Sequence, residues 1–364
     1  MRPGSSFLIV CVAVLVLDLP LAAASSGAGA HLVMHRRPVR KRAVFLERRV
    51  PAFVNHLPNI QALGAVVIDL DSGEEIFGRK ADQPRAIASI SKLAAMLVVV
   101  DHGLPLEELT TVKKVDVEVT RGGAPSRLPE GMTLSNRDLL HAALLGSDNR
   151  AVSALGRAVG LTTTQLAEAM TRKAALLGLR HTRFRDPTGL SPENVSTPRE
   201  TLSMLRAAMA NSILGPVLRK VEYDAHPVAR AAIRYVNTHR PAHRGNIEIL
   251  GGKTGYNGVA RYCLVLASRI EGHSYGMAFL GTEGKLTRFG DVARTTDWIA
   301  LHRPDRRGGG EGPALARGTV SPTDPTPLTT ALEERARGAT PPDGGAAVSP
   351  PAEVNPARAA ATDM

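Results

Sequence analysis

The chain has 364 residues, enough for one large domain or two, and carries 45 lysines and arginines against 34 aspartates and glutamates, a formal net charge of +11. That balance asks for an anionic neighbour, and its densest stretch, His35 to Arg49, holds Arg36, Arg37, Arg40, Lys41, Arg42, Arg48 and Arg49. Two cysteines, Cys11 and Cys263, exclude a disulfide-stapled scaffold, so stability has to come from a core.

Arg2 precedes an apolar run from Phe7 to Leu17, and Ala22-Ala23-Ala24 before Ser25 offers a small-residue cleavage site. Residues 1–24 are therefore expected to be a signal peptide that exports the protein to the periplasm. The run falls short of the roughly twenty residues of an ordinary membrane span, with an uncleaved anchor as the alternative. Export argues against nucleic acid as the partner of the basic stretch. Residues 25–58 read as a basic linker facing an anionic wall polymer or membrane surface, or else as a solvated linker. Cleavage leaves Cys263 alone in the strand-like run Tyr262-Cys263-Leu264-Val265-Leu266, where a buried, inert thiol is expected.

From Gly64 to Leu70 the residues Val66, Ile68 and Leu70 alternate with Ala65, Val67 and Asp69, and Asp71-Ser72-Gly73 turns into a second strand through Ile76 and Phe77. A helix is expected from Ser89 to about Asp101, closed by Gly103. Ser135 is a predicted N-cap for a helix that stops near Gly146, which leaves Ser147 to Asn149 at a junction before a helix over 149–159. Another spans 163–177, and Thr197-Pro198-Arg199-Glu200 reads as a capping box opening one more.

After Pro227, strands are predicted over Val228–Asn237, Ile247–Thr254, Tyr262–Ile270 and Tyr275–Leu280, and a closing helix over Leu286–Leu301. The pattern gives an α+β class for residues 59–302, one antiparallel sheet drawn from both ends of the chain, flanked by helices and interrupted by a helical middle. Residues 303–364, rich in Gly, Pro and Ala, are expected to be a disordered tail.

Three short motifs carry chemistry. In Ser89-Ile90-Ser91-Lys92, spacing of three puts a hydroxyl beside an amine on one helical face, and a desolvated lysine can act as base to a serine. Ser147-Asp148-Asn149 and Lys253-Thr254-Gly255 follow in order. Each alone reads as a helix cap or a strand end; the three together do not. His239 and His243 are separated by Pro241, which spoils a helical ligand pair, and His141 reads as packing, so no metal and no cofactor are expected.

These motifs resemble those of low-molecular-mass penicillin-binding proteins, the D-alanyl-D-alanine carboxypeptidase and endopeptidase family, nearest the penicillin-binding protein 7 branch. The likeness extends to Ile87-Ala88 before Ser89, to Ser126-Arg127-Leu128-Pro129, to Asp186-Pro187-Thr188-Gly189-Leu190 and to Tyr256 after Gly255, across roughly residues 60–300.

The resemblance implies a β-lactamase/DD-peptidase-like fold, with Ser89 as acylated nucleophile and Lys92 as its general base. It further implies that Ser147 relays a proton to the leaving amine, while Asn149 orients Lys92 and holds a substrate amide. Lys253 depresses the pKa of Lys92, Thr254 receives the substrate carboxylate, Gly255 admits the substrate backbone, and the N–H groups of Ser89 and Tyr256 form the oxyanion hole. Asp186 reads as a loop residue near the cleft.

The implied substrates are peptidoglycan stem peptides, cut at D-alanyl-diaminopimelyl cross-links, with β-lactam antibiotics as covalent inhibitors. Trimming of a terminal D-alanine is the alternative. A β-lactamase is disfavoured because no Glu-x-x-Leu-Asn segment lies between the second and third motifs, and a non-catalytic wall-binding protein because the motifs are intact.

Overall fold

In a computed structural model the described residues are 52–242 and 247–302. The expected signal peptide, most of the basic linker, His243 and the tail lie outside them. Two units divide these residues at Asn59 and Ile60. In the first, Phe53–Val54 pairs antiparallel with Leu57–Pro58. Asn55 and His56 between them both have positive φ, the backbone of a tight two-residue hairpin turn.

The second unit holds a five-stranded antiparallel sheet. Strands β1 (Gly64–Asp69) and β2 (Glu75–Arg79) form the predicted hairpin, and β3 (Glu248–Asn257), β4 (Arg261–Ile270) and β5 (His273–Thr282) come from the far end of the chain. Their order is β3-β4-β5-β1-β2, so β5 pairs with β1 and joins the two ends, while β3 is left as an edge. Cys263 on β4 is buried, and burial pushes its thiol up to about 11, as expected of an inert side chain.

Between the two halves of the sheet runs the helical middle. Helix α1 (Lys92–Asp101) is buried from Lys92 through Val99 on every side, which marks it as the central core helix. It packs against α3 (Asn136–Leu144), α4 (Asn149–Ala158), α5 (Thr163–Leu176) and α6 (Pro198–Ala210), with α2 (Lys114–Glu118) and α7 (Leu214–Arg219) filling in around them. Each buried Leu, Val or Met of α1 contributes about 1.5–3 kcal/mol of transfer free energy, so this helix anchors whatever stands at its head. Helices α6 and α8 (Thr287–His302) cover the sheet.

Local signals held at most helix ends. Ser135 Oγ accepts from Asp138 N at the head of α3, and Thr197 does the same for Glu200 N at α6, behind Pro198. The predicted box at α6 does not close. Glu200 instead accepts from His181 N and Thr182 Oγ1, which ties down the preceding loop. The predicted strand Val228–Asn237 also differs: only Ile233–Val236 is extended, and it pairs with Glu222–Ala225 in a separate two-stranded ribbon, not with the main sheet.

Candidate active site

Ser89 sits in a 3-10 turn, Ala88–Ser91, that leads into α1, not in the α-helix itself. An i, i+3 repeat eclipses side chains in a 3-10 turn, so the expected pairing becomes tighter. Lys92 Nζ donates to Ser89 Oγ at 2.8 Å and to the Thr188 carbonyl at 2.6 Å. The amine is fully buried, and desolvation brings its pKa down to about 7, against the opposing pull of Asp186 and Asp148.

The second motif is shaped by a reversal between two helices. Gly146 lies against the Tyr235 ring, Ser147 takes a left-handed φ of +57°, and Asp148 turns extended to cap α4, accepting from Arg150 N and Ala151 N. A non-glycine residue in that region costs about 1–2 kcal/mol, held here by its surroundings. Ser126 Oγ donates to both Asp148 oxygens, at 2.9 and 2.7 Å, and so fixes the motif from across the loop.

Lys253, on the edge strand β3, donates to Ser147 Oγ and to the Thr254 carbonyl, both at 2.9 Å. It too is fully buried, and burial, followed by the charges of Lys92 and Arg288, holds it well below the ordinary lysine range. Thr254 Oγ1 donates to Thr238 Oγ1 at 2.7 Å, and Tyr256 is half exposed, its ring stacked on Tyr262. Ser89 and Lys92 are thus in direct contact, as are Ser147 and Lys253, and the two pairs meet where the Ser89 turn packs on β3.

Two implied roles need correction. Asn149 is buried with its amide against Gly123 and makes no hydrogen bond to Lys92; the Thr188 carbonyl holds that amine instead. Gly255 gives its missing Cβ space to the protein, since a Cβ there would lie 2.6 Å from the Ile87 carbonyl. The Ser89 turn therefore packs directly on β3. Burial is the largest influence lowering Lys92, and the like charges of Lys92 and Lys253 oppose one another.

Two contributions were not foreseen, the backbone of the Asp186 loop, which was read as lying near the cleft, and Arg288. Asp186 builds the loop whose Thr188 carbonyl reaches Lys92, accepting from Thr188 N and Gly189 N. Arg288 is buried with its Nε and Nη1 unpartnered, its guanidinium over the Tyr262 and Phe289 rings and its charge felt by Lys253. Its signal was legible in principle: Arg288 falls in helical register with the buried Val292, Thr295 and Ile299. A cation on a core face with no carboxylate partner among the described residues is costly to keep.

A serine beside a desolvated amine, a second hydroxyl held by a second amine, and an unpaired buried guanidinium suit acyl transfer from an anionic substrate. Residues 52–283 match the model of the D-alanyl-D-alanine carboxypeptidase family. The chain belongs to that family. Its members are serine DD-peptidases, and this one is similar to enzymes named D-alanyl-D-alanine endopeptidase in Escherichia coli, at 35% identity over 66% of this chain and 78% of that one. A second, in Pseudomonas aeruginosa, is 33% identical over 65% of this chain and 76% of that one. Among solved structures, the D-alanyl-D-alanine carboxypeptidase of Mycobacterium tuberculosis superposes with a TM-score of 0.62 at 27% identity, covering 70% of this chain and 95% of that one. A Streptomyces DD-transpeptidase gives 0.62 at 26%, covering 67% and 98%. These neighbours share the β-lactamase-like α+β fold expected from the sequence.

Proposed function

We propose that this DD-peptidase is an endopeptidase that cuts D-alanyl-diaminopimelyl cross-links of peptidoglycan through an ester on Ser89. The observation that carries the mechanism is Lys92, a buried amine with a pKa of about 7 placed 2.8 Å from Ser89 Oγ. Lys92 takes the serine proton as Ser89 attacks the D-alanyl carbonyl, and the N–H groups of Ser89 and Tyr256 receive the oxyanion. Lys253 leaves the Ser147 hydroxyl proton free, because Nζ is the donor in their contact, and Ser147 passes that proton to the leaving amine as it takes over the one Lys92 received, so both side chains return to their starting state.

The carboxylate beside the scissile bond meets Thr254 and Arg288, whose guanidinium has no carboxylate partner among the described residues. Asn149 and Gly255 act as supports, the first behind the Ser147 turn and the second beneath the Ser89 turn. β-Lactams enter the same path and stay as esters on Ser89. Export to the periplasm is part of the reading, resting on Arg2, the Phe7–Leu17 run and Ala22-Ala23-Ala24, with the basic segment His35–Arg49 facing an anionic wall or membrane surface.

The endopeptidase reading is favoured by the Escherichia coli and Pseudomonas relatives, both over 30% identical. A carboxypeptidase that trims terminal D-alanine is the second reading, favoured by the family description and by a Bacillus subtilis relative of that name at 26% identity. Mass spectrometry of cross-linked and pentapeptide muropeptides, incubated with the protein or its Ser89→Ala variant, separates them. Dimers split only by the unsubstituted protein support the endopeptidase; loss of a single D-alanine moves the assignment to the second reading.

A further inference from the structure

The loop from Asp186 to Asn194 lies outside the three motifs, yet it touches both Ser89 and Lys92. One carboxylate organises it. Asp186 Oδ1 accepts from Thr188 N at 2.7 Å, Thr188 Oγ1 at 2.6 Å and Gly189 N at 2.9 Å, while Oδ2 accepts from Ser191 N at 2.7 Å. With those donors gathered on the carboxylate, the Thr188 carbonyl faces the nucleophile turn, accepting from Lys92 Nζ at 2.6 Å and Ser89 Oγ at 3.3 Å. The rest of the loop is tied to itself, to the same turn and to β3. Asn194 Nδ2 donates to Ser91 Oγ at 2.9 Å and to the Asp186 carbonyl at 2.7 Å, and Asn257 Nδ2 reaches the Gly189 carbonyl at 3.1 Å.

This placement matters at the moment of acylation, taken on the reading of Lys92 as base. The Ser89 O–H bond breaks and its proton forms a new N–H on Lys92 Nζ; the Oγ electron pair bonds the substrate carbonyl carbon, and the pair from the C=O π bond moves to the oxygen. An ammonium therefore appears in a buried site. Charged groups facing it are Asp186 from the loop, Asp148 from the head of α4 and Lys253 from β3, and neither carboxylate hydrogen-bonds to it. Its direct acceptors are Ser89 Oγ, which is leaving to attack, and the Thr188 carbonyl. A fixed dipole aimed at developing charge needs no reorganisation when that charge forms.

We propose that Asp186 is a positioning residue for acylation: by gathering the amides of residues 188–191 it aims the Thr188 carbonyl at Lys92, and that carbonyl receives the ammonium formed there. The carboxylate acts through the loop and through its charge, and does not meet the substrate.

The test is the pH dependence of the second-order rate of labelling by a fluorescent penicillin, measured on the full chain, Asp186→Asn and Asp186→Glu. The asparagine variant loses the charge and one acceptor oxygen. Its plateau is expected to fall about tenfold or more, as misplacement near a reacting group does, and its acid limb to move to lower pH, because a positive Lys92 loses a favourable neighbour. The glutamate variant keeps the charge and loses the fit, so its plateau falls while the limb stays. A folded Asp186→Asn protein with the parent plateau and limb overturns the proposal, as does a lowered plateau with an unmoved limb, which would mean a merely structural loop. If the asparagine variant does not fold, a parent-like plateau in Asp186→Glu overturns it alone. Failure of the underlying mechanism looks different, since Ser89→Ala would then still be labelled.

Discussion

Lys253 Nζ donates to Ser147 Oγ at 2.9 Å across 106 positions of sequence, joining the edge strand of the sheet to the turn between α3 and α4. The donor is a buried amine and the acceptor a serine held at a left-handed φ, so neither finds this geometry without the other half of the fold. Replacing Lys253 with methionine preserves the bulk and removes the donor. Labelling by penicillin is expected to slow about a hundredfold, the scale of losing one preorganised electrostatic contact. Ser147→Ala added to it costs much less than its own single effect, because the two act as a unit. Additive losses in that double-mutant cycle would show that they work independently.

Lys92 gives a prediction about stability with the opposite sign to activity. Its folded pKa, about 7, lies below the ordinary lysine value of 10.5, so between those limits the unfolded chain binds more protons. Burial of this amine therefore lowers stability fully below about pH 7, and the penalty fades as pH rises toward 10.5. Lys92→Met is expected to be unreactive toward penicillin yet more stable than the parent at pH 7, by about a few kcal/mol in chemical denaturation. The difference shrinks toward pH 10. A variant less stable than the parent at pH 7 would mean that the Thr188 and Ser89 contacts outweigh desolvation.

Arg288 is expected to separate binding from folding. Its Nε and Nη1 are buried without partners, and burial lowers its pKa, so its presence strains the unliganded protein. Arg288→Met should raise the melting temperature while raising KM for peptides with a carboxylate beside the scissile bond by about tenfold or more, the value of a lost charge-assisted contact. Peptide amides lacking that carboxylate should be cut at nearly the parent rate. Equal losses on acid and amide substrates would remove the guanidinium from carboxylate recognition.

What could be read in advance depended on whether a feature is carried by side chains in a regular pattern. The β1–β2 hairpin and strands β3 to β5 follow from apolar runs bounded by turn residues, and the spacing of Ser89 and Lys92 survives the change from an α-turn to a 3-10 turn because a separation of three suits both. The ribbon Glu222–Ala225 with Ile233–Val236 was misjudged because Glu-Tyr-Asp-Ala alternates over only four residues, too few to stand out, and Tyr223 is held from outside the ribbon by its contact with Asp138 on α3. The Thr188 carbonyl was invisible: it is backbone, which any residue type supplies, and only the Asp186 contacts around it explain its aim. Gly255 was read for the substrate, whereas its open space is taken by the Ile87 carbonyl, a contact made only when β3 and the 3-10 turn meet.

Gly189 supplies a test of how closely the Asp186 loop is fitted to the nucleophile. Its φ is +88°, and a Cβ built on it would lie 2.1 Å from the Ala88 carbonyl oxygen and 2.6 Å from Ser89 N. Both obstacles are backbone, so the neighbour cannot rotate away; the turn itself must move. Gly73 provides the control, since its φ is +78° but nothing lies within 4 Å of an added Cβ. Gly73→Ala therefore carries only the conformational cost, about 1–2 kcal/mol, and should label with penicillin at the parent rate. Gly189→Ala carries that cost plus the displacement of Ala88 and Ser89, and is expected to lose about 3 kcal/mol or more in denaturant unfolding. Its acylation should fall about a hundredfold, because Ser89 shifts against both Lys92 and β3. If Gly189→Ala instead matches Gly73→Ala in both measurements, the loop and the nucleophile turn are not in register as described, and the hold of Thr188 on Lys92 would be slack.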